Sequence, residues 1–334
     1  MGKGRYLVRR LVYIVFVFFI ISILMFFIYK SMPGDPVTMM LGESRNNMKP
    51  EAYQALYEQT RQALGLDRSL VEQYFIWIGN MLTGNFGYST QYKRQVAEVI
   101  GTPMLNTLML NALSMVVVFV IAIPLGIVTA VRKNSVFDKV VQVLTIIGYS
   151  LPSFIIALLM IFAFAVKIPI FPISGVRSPG FTGTGLEYVL DTLWHMALPV
   201  IVMSISGIGS ITRYVRAEMI DVLRMDYIKT ARAKGLKEKT VIYVHAFRNA
   251  LIPIVTIATA WVVSLFGGSV VIEQVFLWPG LGQMLINGLL QRDFSVVLTM
   301  QMFYVVLALA GNVIMDSPTT SGPPRARLQN YGGT

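Results

Sequence analysis

The sequence predicts an all-α, polytopic membrane protein with about six transmembrane helices. The chain of 334 residues is 55% hydrophobic and 13% charged, whereas soluble globular chains carry about 25% charged residues. Apolar runs recur along it at the length of about 20 helical residues that a bilayer requires. The net charge of +11 collects beside and between these runs, as the positive-inside rule expects of cytoplasmic segments.

The first apolar run, 11–29, follows a basic N-terminus and lacks the small residues of a signal-peptide cleavage site. We therefore expect a retained helix that starts in the cytoplasm. Six crossings would return the C-terminus to the cytoplasm. The other predicted spans are 104–131, 140–166, 196–212, 250–272 and 294–315.

The segments between the runs differ in charge. Residues 30–101 carry balanced charges and are expected outside the membrane, with a helix near 51–64. Residues 167–194 are predicted to form an outer loop without helix, because Pro and Gly recur there. Residues 213–248 hold nine basic and four acidic residues and are assigned to the cytoplasm.

These segments suggest three parts of the chain. Residues 1–101 form an N-terminal helix with an extracytoplasmic segment. Residues 102–316 form the transmembrane domain, with a cytoplasmic loop at 213–249. Residues 317–334 are expected to be a disordered cytoplasmic tail.

Several classes of site are excluded by composition. The chain has no cysteine and two distant histidines, His195 and His245, so no disulfide, thiol nucleophile or metal site is predicted. The only Gly-Lys pair is Gly2-Lys3, so there is no phosphate-binding loop and we expect no ATP hydrolysis by this chain. Spanning apolar runs argue against a nucleic-acid binder despite the basic charge.

One segment carries a family resemblance. Residues 226–236, DYIKTARAKGL, and 248–253, RNALIP, resemble the conserved cytoplasmic loop of binding-protein-dependent ABC importer permeases, in the oligopeptide/dipeptide and nickel branch. Two positions depart from the general family pattern: Lys229 replaces its acid and Arg248 its proline. Short motifs at 33–36, 84–89, 148–154 and 276–282 resemble the same branch. Together with the loop they extend the resemblance over residues 1–316.

The resemblance implies a type I ABC importer permease fold, with a loop that docks an ATPase subunit. In such a loop small residues would allow close approach, and Gly235 would supply a turn at a helix C-terminus, where a positive φ is often required. An ordinary basic loop that only fixes topology is the alternative. The predicted docking residues are Lys229, Thr230, Ala231, Arg232, Ala233, Lys234, Gly235 and Leu236.

Small polar residues and glycines gather on the fourth and fifth predicted helices. Such residues mark either close helix packing or the lining of a substrate path. The candidate path residues are Ser204, Ser206, Ser210, Gly267, Gly268 and Ser269. Glu273, near the end of the fifth predicted helix, is expected to have a structural role that supports an outer gate.

The implied function is ATP-driven import of oligopeptides or dipeptides across the cytoplasmic membrane of a prokaryote. The resemblance implies as partners a homologous second permease, two ATPase subunits that use ATP and Mg²⁺, and an extracytoplasmic binding protein, within membrane lipid. This chain would itself bind no cofactor. Two alternative functions are not excluded by the sequence. One is a permease for nickel or another small solute, and the other is an ion-coupled secondary transporter, although the latter needs acids or broken helices at the bilayer midplane.

Overall fold

The computed structural model describes residues 3–31, 34–42, 46, 48–267 and 269–321. Within these ranges, five helices are long and apolar enough to span a membrane, or six if one bent pair is a single span. The prediction of an all-α protein with about six spans is therefore confirmed. The chain divides into two compact units, residues 1–103 with 284–309, and residues 104–283 with 310–334. Residues 284–309 thus group with the N-terminal unit rather than with the predicted domain 102–316.

The described residues up to 131 form two long α-helices and four short ones. They are α1 Lys3–Ser31, α2 Pro36–Leu41, α3 Pro50–Ala63, α4 Leu70–Leu82, α5 Val96–Val99 and α6 Gly101–Val131. One antiparallel pair of two-residue strands, β1 Tyr88–Ser89 and β2 Arg94–Gln95, lies between α4 and α5.

The remaining helices include two π-helical turns, Phe162–Lys167 after α8 and Val241–Ala246 before α12. The α-helices that follow α6 are α7 Val136–Ser150, α8 Ser153–Ile161, α9 Leu186–Leu223, α10 Asp226–Ala233, α11 Glu238–Thr240, α12 Phe247–Ser264, α13 Val270–Val275, α14 Leu281–Leu290 and α15 Phe294–Ser321.

The third predicted span, 140–166, is not one helix. It is broken into α7 and the helix Ser153–Lys167, which meet at 100°. Leu151, between them, has ψ 133°, because a residue that precedes proline is displaced from the helical region by the proline ring. Pro152 therefore ends the first helix and permits the second.

The fourth predicted span was too short. α9 covers 38 residues, from the residue after the last glycine of the outer loop into the segment that was assigned to a cytoplasmic loop. Gly185 precedes it with φ 61°, a conformation that glycine adopts at little cost. No Pro or Gly interrupts residues 186–194, and these residues form the first part of α9. The prediction that the outer loop lacks helix up to residue 194 was therefore wrong.

The fifth and sixth predicted spans also end elsewhere. α12 stops at Ser264, so Gly267 and Ser269 lie in the connection to α13 rather than within a spanning helix. Gly268 lies outside the described residues. α15 continues to Ser321, so residues 317–321 of the predicted disordered tail are helical, since a formed helix extends by one hydrogen bond per added residue.

The first unit is built on aromatic contacts and one buried acid. The Phe26 ring on α1 lies 5.5 Å from the Tyr74 ring and 5.7 Å from the Trp77 ring of α4. Asp293, fully buried, accepts hydrogen bonds from the Ser89 hydroxyl and from the backbone amide of Gln91 at 3.0 Å. The strand pair is thereby attached to the start of α15.

The second unit is organised around α9, which packs on α7, α8 and α12. Glycines allow the close approach. A Cβ on Gly209 would lie 2.8 Å from the Thr145 carbonyl oxygen of α7, and a Cβ on Gly126 of α6 would lie 2.7 Å from Val215 of α9. Helices in lipid associate through such packing contacts. Lipid chains are as apolar as the helix surfaces, so burying apolar surface between helices gains no free energy there.

We expect Gly209→Ala to destabilise the protein, because its new methyl group would meet backbone rather than a flexible side chain. Overpacking of this kind costs about 1–3 kcal/mol. The matched control is Gly79→Ala on α4, where a Cβ would meet nothing within 4 Å and alanine favours the helix. Thermal unfolding in detergent measures both, and equal midpoints for the two variants would contradict the packing role of Gly209.

Candidate functional site

Two adjoining cavities form a groove along α9. The first has a volume of about 350 Å³ and is bordered by α6, α7, α9 and α12. The second has about 730 Å³ and shares Tyr149, Ser210 and Trp261 with the first. The lining of the first cavity carries hydroxyl and amide groups but no charged side chain, from Asn111, Ser114, Met115, Tyr149, Met203, Ser206, Gly207, Ser210, Trp261, Ser264 and Leu265.

The predicted path residues on α9 separate into two groups. Ser206 and Ser210 line the groove. Ser204 is 1% exposed, and its hydroxyl lies 3.3 Å from that of Ser114 on α6. It therefore packs between helices and does not face the groove.

The glycines beside these serines serve close packing. A Cβ on Gly207 would lie 2.8 Å from both Trp261 and Val118. Of the fifth-helix candidates, Gly267 and Ser269 are not among the residues that line these two cavities. The path role of the six candidates stays a prediction, and the groove gives it a geometric basis at Ser206 and Ser210.

Other groove residues were missed by sequence reasoning. Asn111 donates a hydrogen bond of 2.5 Å to the Leu265 carbonyl oxygen at the end of α12. Tyr149 and Trp261 border both cavities. A signal was available on α9, where Ser206, Ser210 and residue 213 share one helix face at spacings of four and seven.

The predicted docking segment forms a short helix and its cap. Gly235 follows α10 with φ 75°. Its amide donates to the Arg232 carbonyl at 2.9 Å, and the amide of Leu236 donates to the Ala231 carbonyl at 3.4 Å. This pair of bonds is a Schellman cap, so the predicted turn at a helix C-terminus is present.

α10 has one buried face and one exposed face. Ile228 and Ala231 are buried in a core with residues of α6, α9 and α12. Ala231 therefore packs within this chain, and its role in close approach to an ATPase stays a prediction. Ala233 remains on the exposed face, together with Lys229, Thr230, Arg232, Lys234, Gly235 and Leu236.

Part of the basic charge on this face is paired within the chain. Arg232 lies 2.7 Å from Glu238, and Lys229 lies 2.8 Å from Asp226. Lys229 lowers the pKa of the Asp226 carboxyl by its hydrogen bond. Both pairs are solvent-exposed, so each contributes little stability.

Glu273 lies at the centre of a buried hydrogen-bond network. Its carboxylate accepts from the Thr107 hydroxyl at 2.8 Å and from the Gln283 amide at 3.0 Å. The Thr107 oxygen in turn accepts from the Leu281 amide at 2.8 Å, and the Trp278 indole donates to the Asn106 carbonyl at 3.1 Å. These bonds fix the turn 276–282 against α6.

The Glu273 carboxyl is fully buried and lies outside the candidate spanning helices. Burial raises its pKa, while the hydrogen bonds from Thr107, Gln283 and Gly282 act in the opposite direction. Glu273 does not line the groove. The geometry gives it a structural role, and support of an outer gate stays a prediction.

We expect Glu273→Ala to destabilise the second unit, because it leaves the Thr107 hydroxyl and the Gln283 amide without an acceptor. A buried donor without a partner costs about 1–3 kcal/mol. Glu273→Gln keeps one carbonyl acceptor and should cost less. Thermal unfolding and proteolysis at the turn 276–282 provide the measurements, and Ala and Gln variants of equal stability would exclude the network as the reason for the buried acid.

Comparison with known proteins assigns both parts of the chain. Residues 122–321 match the family described as binding-protein-dependent transport system inner membrane component. Residues 4–111 match the N-terminal family of the same membrane components.

Relatives match over nearly the whole chain. The oligopeptide transport system permease protein AppB of Bacillus subtilis is 38% identical, over 94% of this chain and 96% of that protein. The di/tripeptide transport system permease protein DppB of Pseudomonas aeruginosa is 34% identical over 97% and 99%. The glutathione transport system permease protein GsiC of Escherichia coli K12 is 33% identical over 93% and 95%.

The resemblance seen in the short motifs is thus confirmed by matches that span both units of the chain. The protein is a multi-pass membrane protein that belongs to the inner membrane components of binding-protein-dependent transport systems, the permease family of ABC importers.

Proposed function

We propose that this chain is one of two permease subunits of an ATP-driven importer that carries short peptides into the cell. One observation carries the proposal: a groove along α9 whose first cavity is polar and uncharged, in a chain whose near-full-length relatives are named as oligopeptide, di/tripeptide and glutathione permeases. The groove supplies the chemistry that a peptide requires, and the relatives supply the substrate class.

The groove suits peptides of varied sequence. Its cavities, of about 350 and 730 Å³, fall within the range of small-molecule sites, about 300–1,000 Å³. Asn111, Ser206 and Ser210 offer hydrogen bonds to a peptide backbone, which every substrate shares. The first cavity has no fixed charge, so it neither selects nor rejects a charged side chain.

The partners follow from the family. A second, similar permease would complete the path, an extracytoplasmic protein would deliver the peptide, and two ATPase subunits would bind ATP and Mg²⁺. This chain would be non-catalytic and would receive the motor's movement at the exposed face of α10. That face lies in the basic segment 213–249, which we place in the cytoplasm with both termini, in the cytoplasmic membrane of a prokaryote.

The substrate class is tested with the complete importer in proteoliposomes. We expect ATP-dependent uptake of labelled di- to pentapeptides, which is lost when this permease is omitted. Labelled nickel is measured in parallel. If nickel entered and peptides did not, the membership of the family would stand and the peptide assignment would be refuted.

The docking face of α10 is tested with Ala233→Trp. Because Ala233 is exposed, the indole is tolerated by the fold but should obstruct a close interface, at a cost of about 2 kcal/mol or more, roughly thirty-fold in affinity. Ala52→Trp, on an exposed face of α3, is the matched control. Co-purification of the ATPase and ATP-dependent uptake are measured, and unaltered values for Ala233→Trp would contradict ATPase docking at this face.

A further inference from the structure

Arg213 occupies a different place from the one that its sequence suggests. The basic segment 213–248 was assigned to a cytoplasmic loop, but α9 continues to Leu223. Arg213 therefore lies within a continuous helix. Its side chain lines the larger cavity, beside Tyr149, Tyr214 and Trp261.

Arg213 extends the polar stripe of the groove. It follows Ser210 by three residues and Ser206 by seven, which are the spacings of one helix face. The rise of 1.5 Å per residue places Arg213 about 10 Å along the axis from Ser206. The groove thus passes from an uncharged region to a region whose wall includes two arginines, Arg213 and Arg216.

The charge of Arg213 differs from that of its neighbour Arg216. Arg216 makes two hydrogen bonds of 2.7 Å to the carboxylate of Asp138, whose side chain is 3% exposed. That pair is neutral as a unit. In the part of the chain that the structure describes, none of the ion pairs includes Arg213, and its side chain is exposed to the groove.

We propose that Arg213 receives the C-terminal carboxylate of the peptide as it passes through the groove. This assignment rests on the proposed peptide import and adds a specificity-determining contact to it. The planar guanidinium matches a carboxylate with two parallel hydrogen bonds. The terminal carboxylate is the one anion that all linear peptides share, whatever their side chains.

The length of the groove agrees with this assignment. An extended chain covers at most about 3.3–3.6 Å per residue, so about three residues span the distance from Arg213 to Ser206. A tripeptide with its carboxylate at Arg213 would bring its first residue level with Ser206. Because Arg213 is exposed, the contact is weak enough for release, as passage through a path requires.

A different result is expected if Arg213 only fixes the topology of the chain. Its charge would then act through the positive-inside bias, and replacing it would change the uptake of the acid and of the amide equally. Arg224 provides the control, because it caps the end of the same helix, is exposed and does not line either cavity. Removing it deletes the same charge from the same helix.

The experiment compares uptake of a labelled tripeptide with that of its C-terminal amide. The complete importer is reconstituted in proteoliposomes at zero membrane potential. The purified binding protein must bind both the tripeptide and its C-terminal amide with Kd values below the peptide concentration in the assay. Delivery by the binding protein is then saturated for both peptides. The measured quantity is the ratio of acid uptake to amide uptake for wild type, Arg213→Gln, Arg213→Lys and Arg224→Gln, after co-purification confirms assembly.

We expect Arg213→Gln to lower the ratio about ten-fold, the effect of losing a hydrogen-bonded charge. Arg213→Lys should retain part of the ratio, and Arg224→Gln should equal wild type. A ratio unchanged in Arg213→Gln, or lowered equally in Arg224→Gln, would overturn the assignment. Failure of the wild-type importer to take up either peptide would instead refute the proposed function.

Discussion

The second unit depends on the close approach of α9 to its neighbours. Within a bilayer, helices gain nothing by hiding apolar surface from one another, so contact distance decides which of them associate. Gly126, Gly207 and Gly209 remove the side chains that would separate α9 from α6, α7 and α12. The groove exists because the same helix presents larger polar side chains on an adjacent face.

Buried polar groups complete this packing, and each is held by specific partners. Asp138 and Arg216 join the start of α7 to α9 through a bidentate pair, and Asp138 also accepts from the Asn134 amide. Glu273 is satisfied by a hydroxyl and by backbone amides. Breaking a buried pair costs more than the pair contributes, because the remaining charge is left buried without its partner.

Much of the architecture follows from local patterns, and the errors have identifiable causes. Apolar runs locate the spanning helices, and Gly235 marks the end of α10, because both signals act within a few residues. The break at Pro152 was missed because hydropathy does not register backbone geometry. The extent of α9 was missed because polar and basic residues were taken as loop, although one face of that helix lines a groove.

The candidate site was harder to predict, because its contacts join distant parts of the chain. Asn111 and Leu265, which meet in the groove, are separated by 154 residues, and nothing in either local sequence identifies the other. The burial of α10 has a mechanical consequence. Ile228 and Ala231 lie in one core with Ile211 and Val215 of α9, the helix that carries Ser210 and Arg213. Because Ile228 and Ala231 are buried in that shared core, α10 is held in place by side-chain packing along its inner face and is not a loop attached only at its two ends.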